Sequence, residues 1–255
     1  MGDLDRRVAW VTGAGSGIGA GVARRLAQEG AGVGVVDLDR DRAADVADEI
    51  ARLGVPAYAS GCDVADVESV TEAAEALTGA LGPADVLVNC AGVGLGAQPV
   101  ATHDEAQWQR VLAVNLTGAF HVTRAVLGGM IERRFGRVVN ISSGNAVRPS
   151  AGASAYASSK GGLIAFTKAV ALEGAEYGVT ANVVAPGLVD TAMTRRLMPT
   201  DEALAYAARE SRIANPMGAV LRPADVAHAV AFFCSPASAL ITGQTLHVNA
   251  GAIMP

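Results

Sequence analysis

The stretch Thr12-Gly13-Ala14-Gly15-Ser16-Gly17-Ile18-Gly19 does most to limit what this chain can fold into. It follows the apolar run Val8-Ala9-Trp10-Val11-Thr12 and precedes residues 20–29, where Val22, Ala23, Leu26 and Ala27 recur at helical spacing. That order reads as strand, glycine turn, helix. Glycines at such a turn admit φ > 0 and let backbone N–H groups approach a ligand with no Cβ in the way. The N-terminus of a helix adds unbonded donors and the positive end of a dipole, which suits a dinucleotide pyrophosphate.

The same alternation continues along the chain. Apolar runs at 30–36, 57–64, 85–89, 138–142, 180–185 and 244–249 read as strands. Helices are expected over 39–53, 66–81, 105–134, 154–177 and 223–234, with a break or bend in the third near Asn115. Strands that are apolar throughout and alternate with helices form a parallel sheet covered on both faces. The expected fold class is therefore α/β, one doubly wound domain over 1–255 with helices on both faces. Residues 188–222 are irregular with short helical stretches, long enough for a substrate lid.

Two further features carry chemistry. Asp37 ends the second strand eighteen residues past Gly19, where a carboxylate accepts hydrogen bonds from ribose hydroxyls and repels a 2′-phosphate. This favours NAD(H), while Arg40 and Arg42 keep NADP(H) open. Tyr156 and Lys160 stand four residues apart, so on a helix they share one face. A phenol titrates near pH ~10, and a nearby ammonium is expected to lower that value into an acid/base range. Ser143 lies thirteen residues upstream of Tyr156, at the end of a strand, where its hydroxyl can point at the same spot.

Bulk properties exclude other classes. A formal net charge of −5 and scattered arginines give no basic stripe for nucleic acid or an anionic membrane. Cys62, Cys90 and Cys234 form no Cys-x-x-Cys, the four histidines have no metal-ligand spacing, and no run reaches ~18 apolar residues. The expectation is a soluble cytoplasmic protein with no metal, no nucleic acid and no membrane.

With these pieces in place the sequence resembles the short-chain dehydrogenase/reductase family along essentially its whole length. The matching residues are Thr12-Gly13-x-x-x-Gly17-x-Gly19, Asp63-Val64, Asn89-Cys90-Ala91-Gly92, Asn115, Ser143, Tyr156-x-x-x-Lys160 and Pro186-Gly187-x-x-x-Thr191. The resemblance implies a Rossmann-type sheet of about seven parallel strands and a nicotinamide cofactor. It implies a catalytic set of Asn115, Ser143, Tyr156 and Lys160. Tyr156 is the acid/base, Ser143 binds the substrate oxygen, and Lys160 tunes Tyr156 and holds the ribose. Asn115 matches the position that holds a water leading from Lys160 to solvent. Cofactor contacts are implied for Gly13, Ser16, Gly17, Ile18, Gly19, Asp37, Leu38, Asp63, Val64, Asn89, Ala91, Gly92, Tyr156, Lys160, Pro186, Gly187, Val189 and Thr191, with Asn89 also matching a residue that supports the central strand. Many members are tetramers, here through the helices at 105–134 and 154–177.

The expected activity is hydride transfer between NAD(H) and a small-molecule secondary alcohol or ketone. Substrate walls are expected from Ser143, Asn145, Val147, Leu188, Met193 and Leu197, with Gly94-Leu95, Met198 and Tyr206 nearby. Asn145 is the polar candidate for a second substrate oxygen. Ile241-Thr242-Gly243-Gln244-Thr245-Leu246-His247-Val248-Asn249 also resembles β-ketoacyl-carrier-protein and polyketide ketoreductases. These generally use NADPH. Asp37 speaks against that alternative, and Arg148, Arg195 and Arg196 leave it open. A catalytically silent nucleotide sensor would have no need of Ser143, Tyr156 and Lys160 together. A Rossmann-type methyltransferase would not call for the Tyr-x-x-x-Lys pair.

Overall fold

The computed structural model describes residues 2–94, 96–211 and 213–254. The glycine turn is where expected, between β1 (Val8–Thr12) and α1 (Gly17–Gln28). Then follow β2 (Gly32–Asp37), α2 (Arg40–Ala51), β3 (Ala57–Gly61), α3 (Val67–Leu81) and β4 (Val86–Asn89). The middle of the chain holds α4 (Glu105–Leu112), α5 (Gly118–Glu132), β5 (Gly136–Ile141) and α6 (Ser154–Gly174). The remainder is β6 (Val179–Pro186), α7 (Ala192–Arg195), α8 (Asp201–Arg209), α9 (Pro223–Cys234) and β7 (Thr245–Val248).

The strands form one seven-stranded sheet in the order β3-β2-β1-β4-β5-β6-β7, each neighbouring pair parallel. Chain order reverses between β1 and β4, which opens a crevice at the carboxyl ends of the strands. Side chains alternate across the sheet. Ala9 and Val11 of β1 join one core with Val22 and Leu26 of α1, Val46 and Ile50 of α2, and Val226 and Val230 of α9. Trp10 points the other way, into a second core with Leu77 of α3, Val126 and Met130 of α5, and Val170 of α6. Burial on both faces is why these strands read as unbroken apolar runs.

Several boundaries differ from expectation for local reasons. The third strand stops at Gly61, because Asp63 Oδ1 accepts from Ala65 N (3.0 Å) and Asp66 caps α3 by accepting from Glu68 N. Helix 154–177 ends its α-helical part at Gly174, and Gly178 (φ 72°) turns the chain into β6. The break expected near Asn115 is a π-helical turn, Ala113–Thr117, joining α4 to α5. Such turns alter the carbonyl pattern locally and recur at functional sites. The continuous stretch Glu105–Glu132 is long and apolar enough to cross a membrane by composition alone (mean hydropathy 1.3). Its apolar side chains Val122, Val126 and Met130 instead pack into the second core.

Candidate active site

The carboxyl ends of the strands surround a cavity of about 360 Å³. One end is built from the glycine turn. Ala14 N donates to Val36 O (3.0 Å), and Gly15 N donates to Asp37 Oδ2 (2.8 Å), so the turn is tied to β2. Thr12 Oγ1 accepts from both Cys90 N and Ala91 N (3.1 Å each), which ties it to the end of β4. Gly13 sits at φ 65°, and a Cβ there would lie 2.8 Å from Ala91 Cα. Ser16, in extended conformation, places no side chain over the start of α1, and no carboxylate occupies its first turn. Gly17, Ile18 and Gly19 therefore present helix-terminal N–H groups to the cavity, a donor set that fits a pyrophosphate. Asp37, Leu38, Asp63 and Val64 line the adjoining wall. Asp37 Oδ1 accepts from Asp39 N (3.0 Å), so one carboxylate oxygen is held by the glycine turn and the other by the start of α2.

The other end holds Ser143, Tyr156 and Lys160. Ser143 stands just past β5, extended (φ −163°), with Oγ accepting from Asn145 N at 3.2 Å. Its side chain also shares a hydrogen bond with the Tyr156 phenol. Burial raises the Tyr156 pKa, while the Ser143 bond pulls it the other way. This differs from the expected lowering by Lys160. The Lys160 Nζ lies 5.9 Å from the Tyr156 ring centroid and donates to Ile141 O (2.8 Å), so desolvation outweighs its influence on the phenol. Burial also brings Lys160 down to about 8. It keeps its charge at neutral pH, but loosely. Cys90 lines the cavity as well, and burial pushes its thiol up to about 12, so it stays protonated.

Asn115 sits behind this group rather than on the cavity wall. Its Nδ2 donates to Val93 O (3.0 Å) and Ser159 Oγ (3.1 Å), and its Oδ1 accepts from Val93 N (2.8 Å). The amide thus locks the strand-end loop to the helix that carries Tyr156 and Lys160. Buried Ser159 donates onward to Tyr156 O (2.8 Å).

Of the residues expected at a cofactor, Gly13, Ser16, Gly17, Ile18, Gly19, Asp37, Leu38, Asp63, Val64, Ala91, Gly92, Tyr156, Lys160, Pro186, Gly187, Val189 and Thr191 all line the cavity. Asn89 does not. It is buried inside the sheet, donating to Asn140 Oδ1 (2.8 Å) and Thr123 Oγ1 (3.0 Å), and braces β4 against β5 and α5. Of the expected substrate walls, Ser143 and Met193 line the cavity, and Asn145, Val147, Leu188 and Leu197 do not. Asn145 Oδ1 accepts from Ser150 N (2.9 Å), so it pins its own loop instead of facing a substrate. Val147 and Leu197 point to solvent, and Leu188 anchors the base of the following segment through Leu221 N (2.9 Å). Leu95 lies outside the described residues.

Sequence reasoning missed Arg110. It lines the cavity from α4 and pairs with Asp63 at 3.3 Å. It stands beside the buried Val111 on α4, and an arginine on an amphipathic helix has no spacing that distinguishes it from a solvated one.

Comparison with known proteins gives the same outline. The family described as short chain dehydrogenase matches residues 7–202. The chain is 39% identical over 253 residues to a 3-oxoacyl-(acyl-carrier-protein) reductase, FabG, of Vibrio cholerae, covering 99% of each. It is 38% identical over 252 residues to an acetoacetyl-CoA reductase of Allochromatium vinosum, covering 97% of this chain and 99% of the relative. A solved structure assigned as a gluconate dehydrogenase of Agrobacterium tumefaciens superposes with a TM-score of 0.91 at 33% identity, covering 98% of this chain and 97% of that one.

Proposed function

The chain belongs to the short-chain dehydrogenase/reductase family of oxidoreductases, and from that premise we propose that it transfers hydride between NAD(H) and a secondary alcohol or ketone. The observation that carries this reading is the Ser143–Tyr156 hydrogen bond with Lys160 beside it, in the same cavity as the glycine turn. The nicotinamide, when bound, supplies the hydride donor or acceptor. The protein's own residues handle position and the proton. Tyr156 gives its proton to the carbonyl oxygen in reduction and takes the alcohol proton in oxidation. Ser143 donates to the same oxygen, where negative charge develops. Lys160 holds a positive charge nearby that favours the phenolate as it forms, and it would hold the cofactor ribose. Asn115 keeps the Val93 backbone and the Tyr156 helix in register with one another.

NAD(H) is proposed over NADP(H) because Asp37 lines the cavity, and because Arg42 turns to Asp39 (3.1 Å) rather than toward it. A second reading, reduction of a 3-oxoacyl thioester, draws on the two reductases named above. Against an acidic carrier, Arg195 is already bound by Asp190 and Asp201. We also propose a cytoplasmic homotetramer, its subunits meeting at α5 and α6, where Phe120 and Leu172 are exposed.

One screen tests the reading. Absorbance at the NAD(P)H band is followed with a panel that includes acetoacetyl-CoA, cyclic ketones and aliphatic ketones, with each cofactor in turn. NADH should be consumed in preference to NADPH. Tyr156→Phe should cut turnover by about a thousandfold while NADH affinity stays within about twofold. Substantial turnover in Tyr156→Phe would sink the mechanism, and a clear NADPH preference would overturn the role given to Asp37. Tight NADH binding with no ketone reduced would favour a nucleotide sensor.

A further inference from the structure

The chain does not end at the last strand. It turns back under the catalytic serine, and the turn is strongly determined. Asn249, buried directly after β7, accepts from Gly251 N with Oδ1 (3.0 Å) and donates from Nδ2 to Ile253 O (3.1 Å). Its own carbonyl accepts from Ala252 N (3.0 Å). Ala250 (φ 53°) and Gly251 (φ 83°) are both left-handed, a conformation that costs a non-glycine residue free energy and persists where its surroundings enforce it.

This corner touches three parts of the site. Gly187 N donates to Val248 O (2.9 Å), and a Cβ on Gly187 would lie 2.9 Å from Asn249 Cα. Pro216, in the 188–222 segment, packs on Gly251. Ile253 reaches Gly144, the residue after Ser143: a Cβ at Gly144 would lie 2.8 Å from Ile253 Cδ1, with Pro186 O on the same side at 3.7 Å. Gly144 is buried and opens the short turn Gly144–Ala146 that aims the Ser143 hydroxyl.

We infer that Ile253, held by Asn249, is a positioning residue for Ser143, backing the Gly144 peptide so that the serine hydroxyl meets the Tyr156 phenol. The inference rests on the proposed function for its importance to turnover, but not for its geometry. A stabilising donor works only where it is held close to the position the developing charge will occupy. Within its own turn Ser143 is tethered at the hydroxyl by Asn145 N (3.2 Å) and at the carbonyl by Ala146 N (3.0 Å). From outside that turn, the packing of Ile253 on Gly144 adds a further constraint on the peptide that follows the serine.

Size complementation tests this. Ile253→Ala opens space behind Gly144, and Gly144→Ala pushes a methyl group into Ile253. Each should reduce kcat by about five- to tenfold with the panel ketone reduced fastest, while NADH affinity stays within about twofold. The double variant should recover activity relative to Gly144→Ala, because the two changes compensate in volume, and Ile253→Leu should stay near wild type. A second readout needs no substrate. The Tyr156 phenol is titrated by tyrosinate absorbance, with the Tyr156→Phe spectrum subtracted. Loosening Ser143 removes the bond that lowers the phenol's pKa, so its midpoint should rise in both single variants. Multiplicative losses in the double variant, or an unchanged midpoint in the single variants, would overturn the inference. So would a loss of NADH affinity in step with kcat. If Ile253→Ala fails to fold, Ile253→Val carries the same comparison with a smaller truncation. Turnover that survives Tyr156→Phe counts against the proposed function, whereas an unmoved midpoint counts against Ile253 alone.

Discussion

At the glycine end of the cavity the wall is made of backbone, whereas at the 188–222 end it is made of side chains on a looped-out segment. Around Gly13 and Gly15, hydrogen bonds from Ala14 N to Val36 O and from Gly15 N to Asp37 join the turn to β2, and Thr12 joins it to β4. Residues 188–222 leave after β6 and return to a single parallel bridge, Val189 to Leu221, at their base. Beyond that bridge Leu197 and Met217 are 72% and 76% exposed. A glycine turn feeding a helix from a strand has few sterically allowed solutions, so its form follows closely from its residues. A segment of methionines and leucines can pack in many ways. The two ends differ in how tightly sequence determines them.

The comparison would break if the glycine end accepted bulk. A Cβ on Gly19 would sit on the Gly13 carbonyl oxygen, and Gly13 has no room to retreat because Ala91 stands behind it. Gly19→Ala should therefore cost about 2–4 kcal/mol of unfolding free energy. It should also weaken NADH binding by more than about tenfold, since the displaced N–H groups are the proposed pyrophosphate donors. Urea unfolding and cofactor fluorescence measure the two effects. A variant that folds and binds as wild type does would show that the backbone wall is compliant.

Lys160 sharpens the comparison, because the end of the cavity away from the glycine wall holds a buried charge the fold would be more stable without. Its pKa falls from 10.5 to about 8 on burial. Below pH ~8 both folded and unfolded chains carry this proton, so the folded state bears the whole desolvation cost. Between about 8 and 10.5 the unfolded chain still binds the proton that the folded chain has released, so stability rises with pH through that window. Lys160→Met removes a cost on the order of 3 kcal/mol but leaves Ile141 O without its donor, a loss of about 1 kcal/mol. Without cofactor, the variant should gain about 2 kcal/mol at pH 7, and the gain should shrink toward pH 10. Urea midpoints at the two pH values check this, and a gain that does not vary with pH would show that the Lys160 charge is not the cause. The same variant should bind NADH poorly, a stability-for-function exchange of the usual kind.

What could be read from the sequence follows the same division. The strand-turn-helix at Gly13–Gly19, the carboxylate ending β2 and the helical pairing of Tyr156 with Lys160 all depend on local spacing, and each stands where the spacing puts it. The resemblance marks Asn89 as a support of the central strand, and its exclusion from the cofactor wall depends on register. At the end of β4 it lies directly across from Asn140 of β5, and that pairing sends its side chain into the sheet rather than into the cavity. Asn145 depends on a loop contact with Ser150 that no periodicity announces. The raised phenol of Tyr156 depends on burial, which outweighs an ammonium whose hydrogen bond goes to Ile141 instead. Local pattern fixes which residue occurs at a strand end, while non-local packing decides where its side chain goes.

At the 188–222 end the expected effects are smaller and separate one residue from its neighbour. Met193 lines the cavity, and a Cβ on Gly94 would meet both its sulfur (3.7 Å) and the Tyr156 ring (3.9 Å), so Met193 and Tyr156 border the same part of the cavity at Gly94. Met193→Ala should raise KM for the ketone by about three- to tenfold with kcat little changed, the mark of lost uniform binding. Leu197 does not line the cavity, and Leu197→Ala should leave both constants within about twofold. Steady-state kinetics on the two variants side by side decide the matter. A larger effect at Leu197 would mean that α7 swings inward when substrate binds. That movement would have to break the clamp in which Arg195 holds both oxygens of Asp190 at 2.6 Å and reaches Asp201 at 2.7 Å. Arg195→Lys would then change KM as much as Leu197→Ala does, because an ammonium cannot reproduce the two-pronged contact. With the clamp intact, Met193 alone of the two meets the substrate.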